Sequence, residues 1–110
     1  MRTEPVTERL LDDIVCRIVE TIQPERIVLF GSRARAEVRA GSDLDLLVVQ
    51  NSDLPRFRRS VPIYRALYDI LVPMDIVVYT PEEIEEWRGV RQAFVTTALR
   101  EGRVLYERAA

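Results

Sequence analysis

A chain of 110 residues, 47% apolar and 31% charged, has the make-up of a folded domain and not of a disordered tail. At this length it can bury ~65% of its unfolded-chain surface around one core. A net charge of −2 gives no field for gripping a polynucleotide, and no apolar run is long enough to span a bilayer, so neither a nucleic-acid nor a membrane partner is expected. Histidine is absent, which excludes Ser-His-Asp and Cys-His catalysis and His-ligated zinc. Lysine is absent too, since all 16 basic residues are arginine, so a Walker-type phosphate loop and Schiff-base chemistry from a lysine are excluded. Chemistry must run on carboxylates, hydroxyls, arginines and a metal. The lone Cys16 cannot form an internal disulfide, and "MRTEPVTERLLDDIV" has no unbroken apolar segment, so a cytoplasmic location is expected.

In chain order, Leu10, Leu11, Ile14, Val15, Ile18, Val19 and Ile22 recur at helical spacing and predict an amphipathic helix over 6–22, ended by Pro24. Cys16 is expected to be buried packing in that helix. "RIVLFG" (26–31) reads as a strand, Ser32 to Val38 can start a helix, and "DLDLLVV" (43–49) reads as a second strand. Residues 54–72 read as helical from Ser60 onward, because Pro55 and Pro62 resist an earlier start. "MDIVVYT" (74–80) is a third strand. "TPEE" (80–83) then carries an N-cap Thr80, Pro81 at the first helical position and Glu83 placed for a capping box. The helix it opens is expected to run to about Arg100; Gly102 ends it, and "RVLYE" (103–107) can add an edge strand. The expected architecture is α/β or α+β in two layers, a small mixed sheet of three to four strands covered by helices on one side. One domain is expected over 1–110.

Side chains alternate along a strand, so Asp43 and Asp45 project from one face, while Leu44, Leu46 and Val48 face a helix layer. Two adjacent carboxylates repel, and a divalent cation removes the conflict. Magnesium suits them, because it is commonly shared between one or two carboxylates and substrate phosphates. Gly31 lets a phosphate approach the backbone and Ser32 adds a hydroxyl donor. Taken alone, Gly31-Ser32 is also an ordinary strand-to-helix turn; its spacing to the aspartates sets it apart. Asp75 joins the cluster if the third strand neighbours the second, and could then orient or deprotonate an attacking hydroxyl. Arg33, Arg35 and Arg39 could neutralise a triphosphate, contact a partner or lie solvated. Arg56, Arg58, Arg59 and Arg65 read as a solvated helix face, with an acidic partner surface or nucleic acid as the alternative. Trp87 and Tyr106 fit interface anchors and core packing equally.

Gly31-Ser32, ten residues, then Asp43-Leu44-Asp45 resembles the bipartite signature of the polymerase-beta-like nucleotidyltransferase superfamily, and the short chain looks like its minimal nucleotidyltransferases. The similarity extends over roughly 7–107, with "MDIVVYTPEE" and "EGRVLYE" also similar. The resemblance implies a two-layer nucleotidyltransferase fold. It implies that Asp43 and Asp45 bind two Mg2+ ions, that Asp75 is the third catalytic acid and metal ligand, and that Gly31 and Ser32, with Arg33 beside them, hold the triphosphate of ATP. It also implies a partner, a HEPN-domain toxin that such an antitoxin modifies by transferring AMP to a tyrosine hydroxyl. The alternatives are an antitoxin that acts by binding alone, or a transferase acting on a small molecule or RNA. A homodimer is a further possibility for the assembly.

Overall fold

The computed structural model describes residues 6–31, 43–90 and 93–109. Thr7 opens helix α1 (Glu8–Ile22): its Oγ1 accepts the Leu10 N–H at 3.1 Å, satisfying one of the donors a helix start leaves free. Leu11, Ile14 and Ile18 form its buried stripe. Gln23, in the left-handed region at φ 50°, ends the helix and donates its N–H to the Val19 carbonyl at 3.0 Å. Cys16 is exposed, against the expectation of burial. It lies two residues beyond Ile14, about 200° around the helix, and so on the side away from the core.

Four strands follow: β1 (Arg26–Phe30), β2 (Leu44–Val49), β3 (Met74–Tyr79) and β4 (Arg103–Glu107). They form one sheet in the order β3-β2-β1-β4, with β1 antiparallel to both β2 and β4, and β2 parallel to β3. The strand over 103–107 therefore does lie at an edge. A parallel pair needs a crossover, supplied here by α2 (Arg56–Arg59) and α3 (Val61–Ala66). The helix expected from Ser60 is α3, with Ser60 at its N-cap position but ending at Ala66 and not near 72, and a separate short helix, α2, precedes it directly after Pro55. The helix expected to run from Pro81 to Arg100 is two, α4 (Pro81–Trp87) and α5 (Phe94–Glu101), with Gly89 in the turn after α4.

Alternation along the strands sorts the core. Ile27, Leu29, Leu44, Leu46, Val48, Ile76 and Val78 face α1 and α3, where Leu11, Ile14, Ile18, Ile63 and Leu67 complete the larger cluster. Val28, Leu47 and Tyr79 face the other way, onto Val95 and Ala98 of α5, with Ile84 of α4 beside them. Helices therefore cover part of the second face as well, where one-sided cover was expected. The edge of β3 is capped locally: the Ile76 N–H donates to the Tyr64 hydroxyl at 2.8 Å. No described helix is long and apolar enough to cross a membrane.

Candidate active site

Phe30, Asp45 and Asp75 form one row across three strands. Phe30 pairs with Asp45 across the antiparallel β1–β2 ladder, and Asp45 pairs with Asp75 across the parallel β2–β3 ladder. Neighbouring strands lie ~4.8 Å apart, so the two aspartates share one sheet face as close neighbours. The condition placed on Asp75, that its strand adjoin the second, is met. Asp43 lies just before β2, two residues from Asp45 and exposed. Among the described residues none of the three carboxylates makes an ion pair. Burial first, then the charges of Asp75 and Asp43, push the Asp45 carboxyl above its ordinary value. The row is a concentration of like charge that the described chain does not itself neutralise.

Gly31 occupies the end of β1 with φ 78°, a left-handed conformation that favours glycine. A Cβ built there would collide with Asp45 Oδ2. The missing side chain is thus space used by the carboxylate itself, in addition to any room it leaves for a phosphate. Ser32 and Arg33, with Arg35 and Arg39, lie outside the described residues.

Among the described residues, no three acidic or cysteine side chains form a ready-made metal cage. This donor set suits magnesium shared with a substrate, because that ion takes one or two carboxylates and completes its octahedron with phosphates and water. Asp43 and Asp45 are the residues that would hold it, with Asp75 alongside.

A family model described as polymerase beta, nucleotidyltransferase, matches residues 14–110. The chain belongs to the polymerase-beta nucleotidyltransferase family. The chain is also similar in shape to a solved structure from Sulfolobus solfataricus, a protein provisionally assigned as a nucleotidyltransferase. The two share 27% identity with a TM-score of 0.56, over 72% of this chain and 74% of that one. No curated protein matches the chain. Membership of this nucleotidyltransferase family supports general nucleotidyl transfer, and its members use a nucleoside triphosphate and Mg2+.

The structure brings further residues to the same face. Tyr79 lies four positions beyond Asp75 on β3, and hence on its side of the sheet. Phe94, first residue of α5, packs edge-on against Phe30 at 5.2 Å between ring centroids and against Tyr79 at 6.3 Å. The Arg56 guanidinium lies 4.4 Å above the Tyr79 ring. Arg56 and Arg59 also bind Glu83, at 3.2 and 2.6 Å. These two arginines are therefore fixed by partners, where the sequence suggested a solvated face. Their positions depend on contacts 23 to 27 residues distant in sequence, which no local pattern reports.

Proposed function

We propose that this nucleotidyltransferase moves AMP from ATP to a hydroxyl, that of a tyrosine on a HEPN-family toxin, and so acts as an antitoxin. The observation that carries the transfer chemistry is the in-register pairing of Asp45 with Asp75, with Gly31 closed against the Asp45 carboxylate. Asp43 and Asp45 hold the metal–nucleotide end, and Gly31 with Ser32 receives the phosphates. Asp75 orients the acceptor hydroxyl and takes its proton. The acceptor oxygen forms a bond to the α-phosphorus, the bond from that phosphorus to the bridging oxygen breaks, and pyrophosphate leaves. Two magnesium ions, when bound, would supply charge neutralisation at the attacking and leaving oxygens.

Support for a protein acceptor comes from the surface. Phe57, Val61, Tyr64, Tyr68 and Leu71 recur at intervals of three and four residues and all are exposed, Phe57 to 78% and Tyr68 to 83%. Arg58 and Arg65 are exposed among them and make no ion pair among the described residues. An apolar stripe with free cations suits a partner with an acidic rim. The HEPN identity of that partner rests on the likeness to minimal nucleotidyltransferases.

The test is to express the chain with the product of its neighbouring gene, add Mg–ATP and record intact masses. A partner heavier by one or more AMP units, unshifted with the Asp43→Ala/Asp45→Ala variant, is the expected result. A tight complex with unshifted masses would replace transfer by inhibition through binding. Incorporation of AMP into a small acceptor or RNA with no protein partner would overturn the protein substrate.

A further inference from the structure

Arg56, Tyr79, Trp87, Ala93, Phe94 and Val95 line an open cleft of about 190 Å³. It lies on the same sheet face as the candidate active site: Phe94 packs against both Phe30, the cross-strand partner of Asp45, and Tyr79. Four residues along β3 separate Asp75 from Tyr79 on one face of the sheet, ~13 Å at strand rise. The lining combines flat apolar surfaces, Trp87 and Phe94 exposed to 44% and 47%, with one guanidinium held flat by Tyr79 and Glu83. Half-exposed aromatic rings beside a stacked arginine are what a nucleobase recognises, because every base offers a π-face to both.

We propose that this cleft is the nucleobase subsite of the donor nucleotide, with Phe94 and Trp87 as stacking surfaces and Arg56 as its cationic wall. The subsite rests on the reading of Gly31, Asp43 and Asp45 as the phosphate and metal end. Its polar side is furnished by the Arg56 guanidinium, a donor that suits a ring-nitrogen acceptor such as N7 of a purine. Purines also offer the larger stacking area. The cleft therefore favours purine over pyrimidine nucleotides.

Trp87 is the sole tryptophan, so its emission reports on this cleft. The whole chain is titrated in magnesium with ATP, CTP and inorganic tripolyphosphate, following Trp87 fluorescence and, separately, heat of binding. Expected are quenching by ATP, weaker binding of CTP, and tripolyphosphate binding that releases heat without quenching. Phe94→Ala and Arg56→Ala should each weaken ATP by about tenfold or more and leave tripolyphosphate affinity unchanged. The two variants perturb different walls, and the comparison of ligands on the unmodified chain does not depend on either folding. ATP binding no tighter than tripolyphosphate, with Trp87 emission unchanged, would overturn the subsite while leaving the phosphate end intact. Failure of both ATP and tripolyphosphate to bind would overturn the phosphate end and the subsite with it.

Discussion

Gly31 and Asp45 are coupled by space. Any side chain at position 31 meets a carboxylate oxygen and also a backbone at φ 78°. Gly31→Ala should therefore destabilise the fold by about 1–3 kcal/mol, read by urea denaturation, and weaken divalent-cation binding by displacing Asp45. Asp45→Asn acts in the opposite sense on stability. Asp45 is charged against Asp75 and Asp43 without a described counter-ion, so the neutral amide removes repulsion. In metal-free buffer Asp45→Asn should raise Tm by a few degrees, the equivalent of about 1 kcal/mol. Added magnesium should raise the Tm of the unsubstituted chain and do much less for the variant. A lower Tm for the variant in chelator would show that the carboxylate has a structural partner. The pair Gly31 and Asp45 was legible in sequence as a motif, but the reason for the glycine was not: the expected use was phosphate approach, and the contact is with the aspartate side chain.

At the level of elements, α4 is the best defined by local sequence. Thr80 Oγ1 accepts the Glu83 N–H at 3.1 Å and Glu83 Oε1 accepts the Thr80 N–H at 2.9 Å, the reciprocal pair that "TPEE" predicted. What the motif did not announce is that the same carboxylate also binds Arg59 and Arg56. Burial raises the Glu83 pKa, but the bonds from Arg59, the Thr80 backbone and Arg56 outweigh it and hold the carboxyl down at about 2. The folded value lies below the unfolded one, so the stabilisation is present above the ordinary carboxylate range and is lost as pH falls from about 4.5 to about 2. Glu83→Gln keeps an acceptor for the Thr80 N–H and removes the charge. It should cost about 1–2 kcal/mol near neutral pH, allowing for solvent screening, and the difference from the unsubstituted chain should vanish toward pH ~2. Urea midpoints at several pH values measure both. That 54–72 and 81–101 each hold two helices was less legible. Pro55 and Pro62 argue against a start before Ser60, so α2 was not expected, and Gly89 in isolation does not mark an end.

For the molecule as a whole, the stripe from Phe57 to Leu71 separates folding from function. Phe57 and Tyr68 contribute little to the core, so Phe57→Ser and Tyr68→Ser should each leave unfolding free energy within about 0.5 kcal/mol. The proposed partner complex should instead weaken by tenfold or more, measured by calorimetric titration with the HEPN-domain protein. Unchanged affinity for both variants would move the partner surface elsewhere. The sequence by itself determined α1, the strands around "RIVLF", "DLDLLVV" and "MDIVVY", the α4 cap and the spacing from Gly31 to Asp43 and Asp45. These are local: a period of 3.6 or 2, a cap or a turn residue is written within a few neighbouring positions. The tertiary structure alone decided that β2 and β3 are parallel neighbours in the register that sets Asp75 beside Asp45. It alone also gathered Arg56, Tyr79 and Phe94 on that face. Both depend on which strands pair after a crossover and on how a shared core fixes their register, a choice made by burial across the whole sheet and not by any stretch of chain within it.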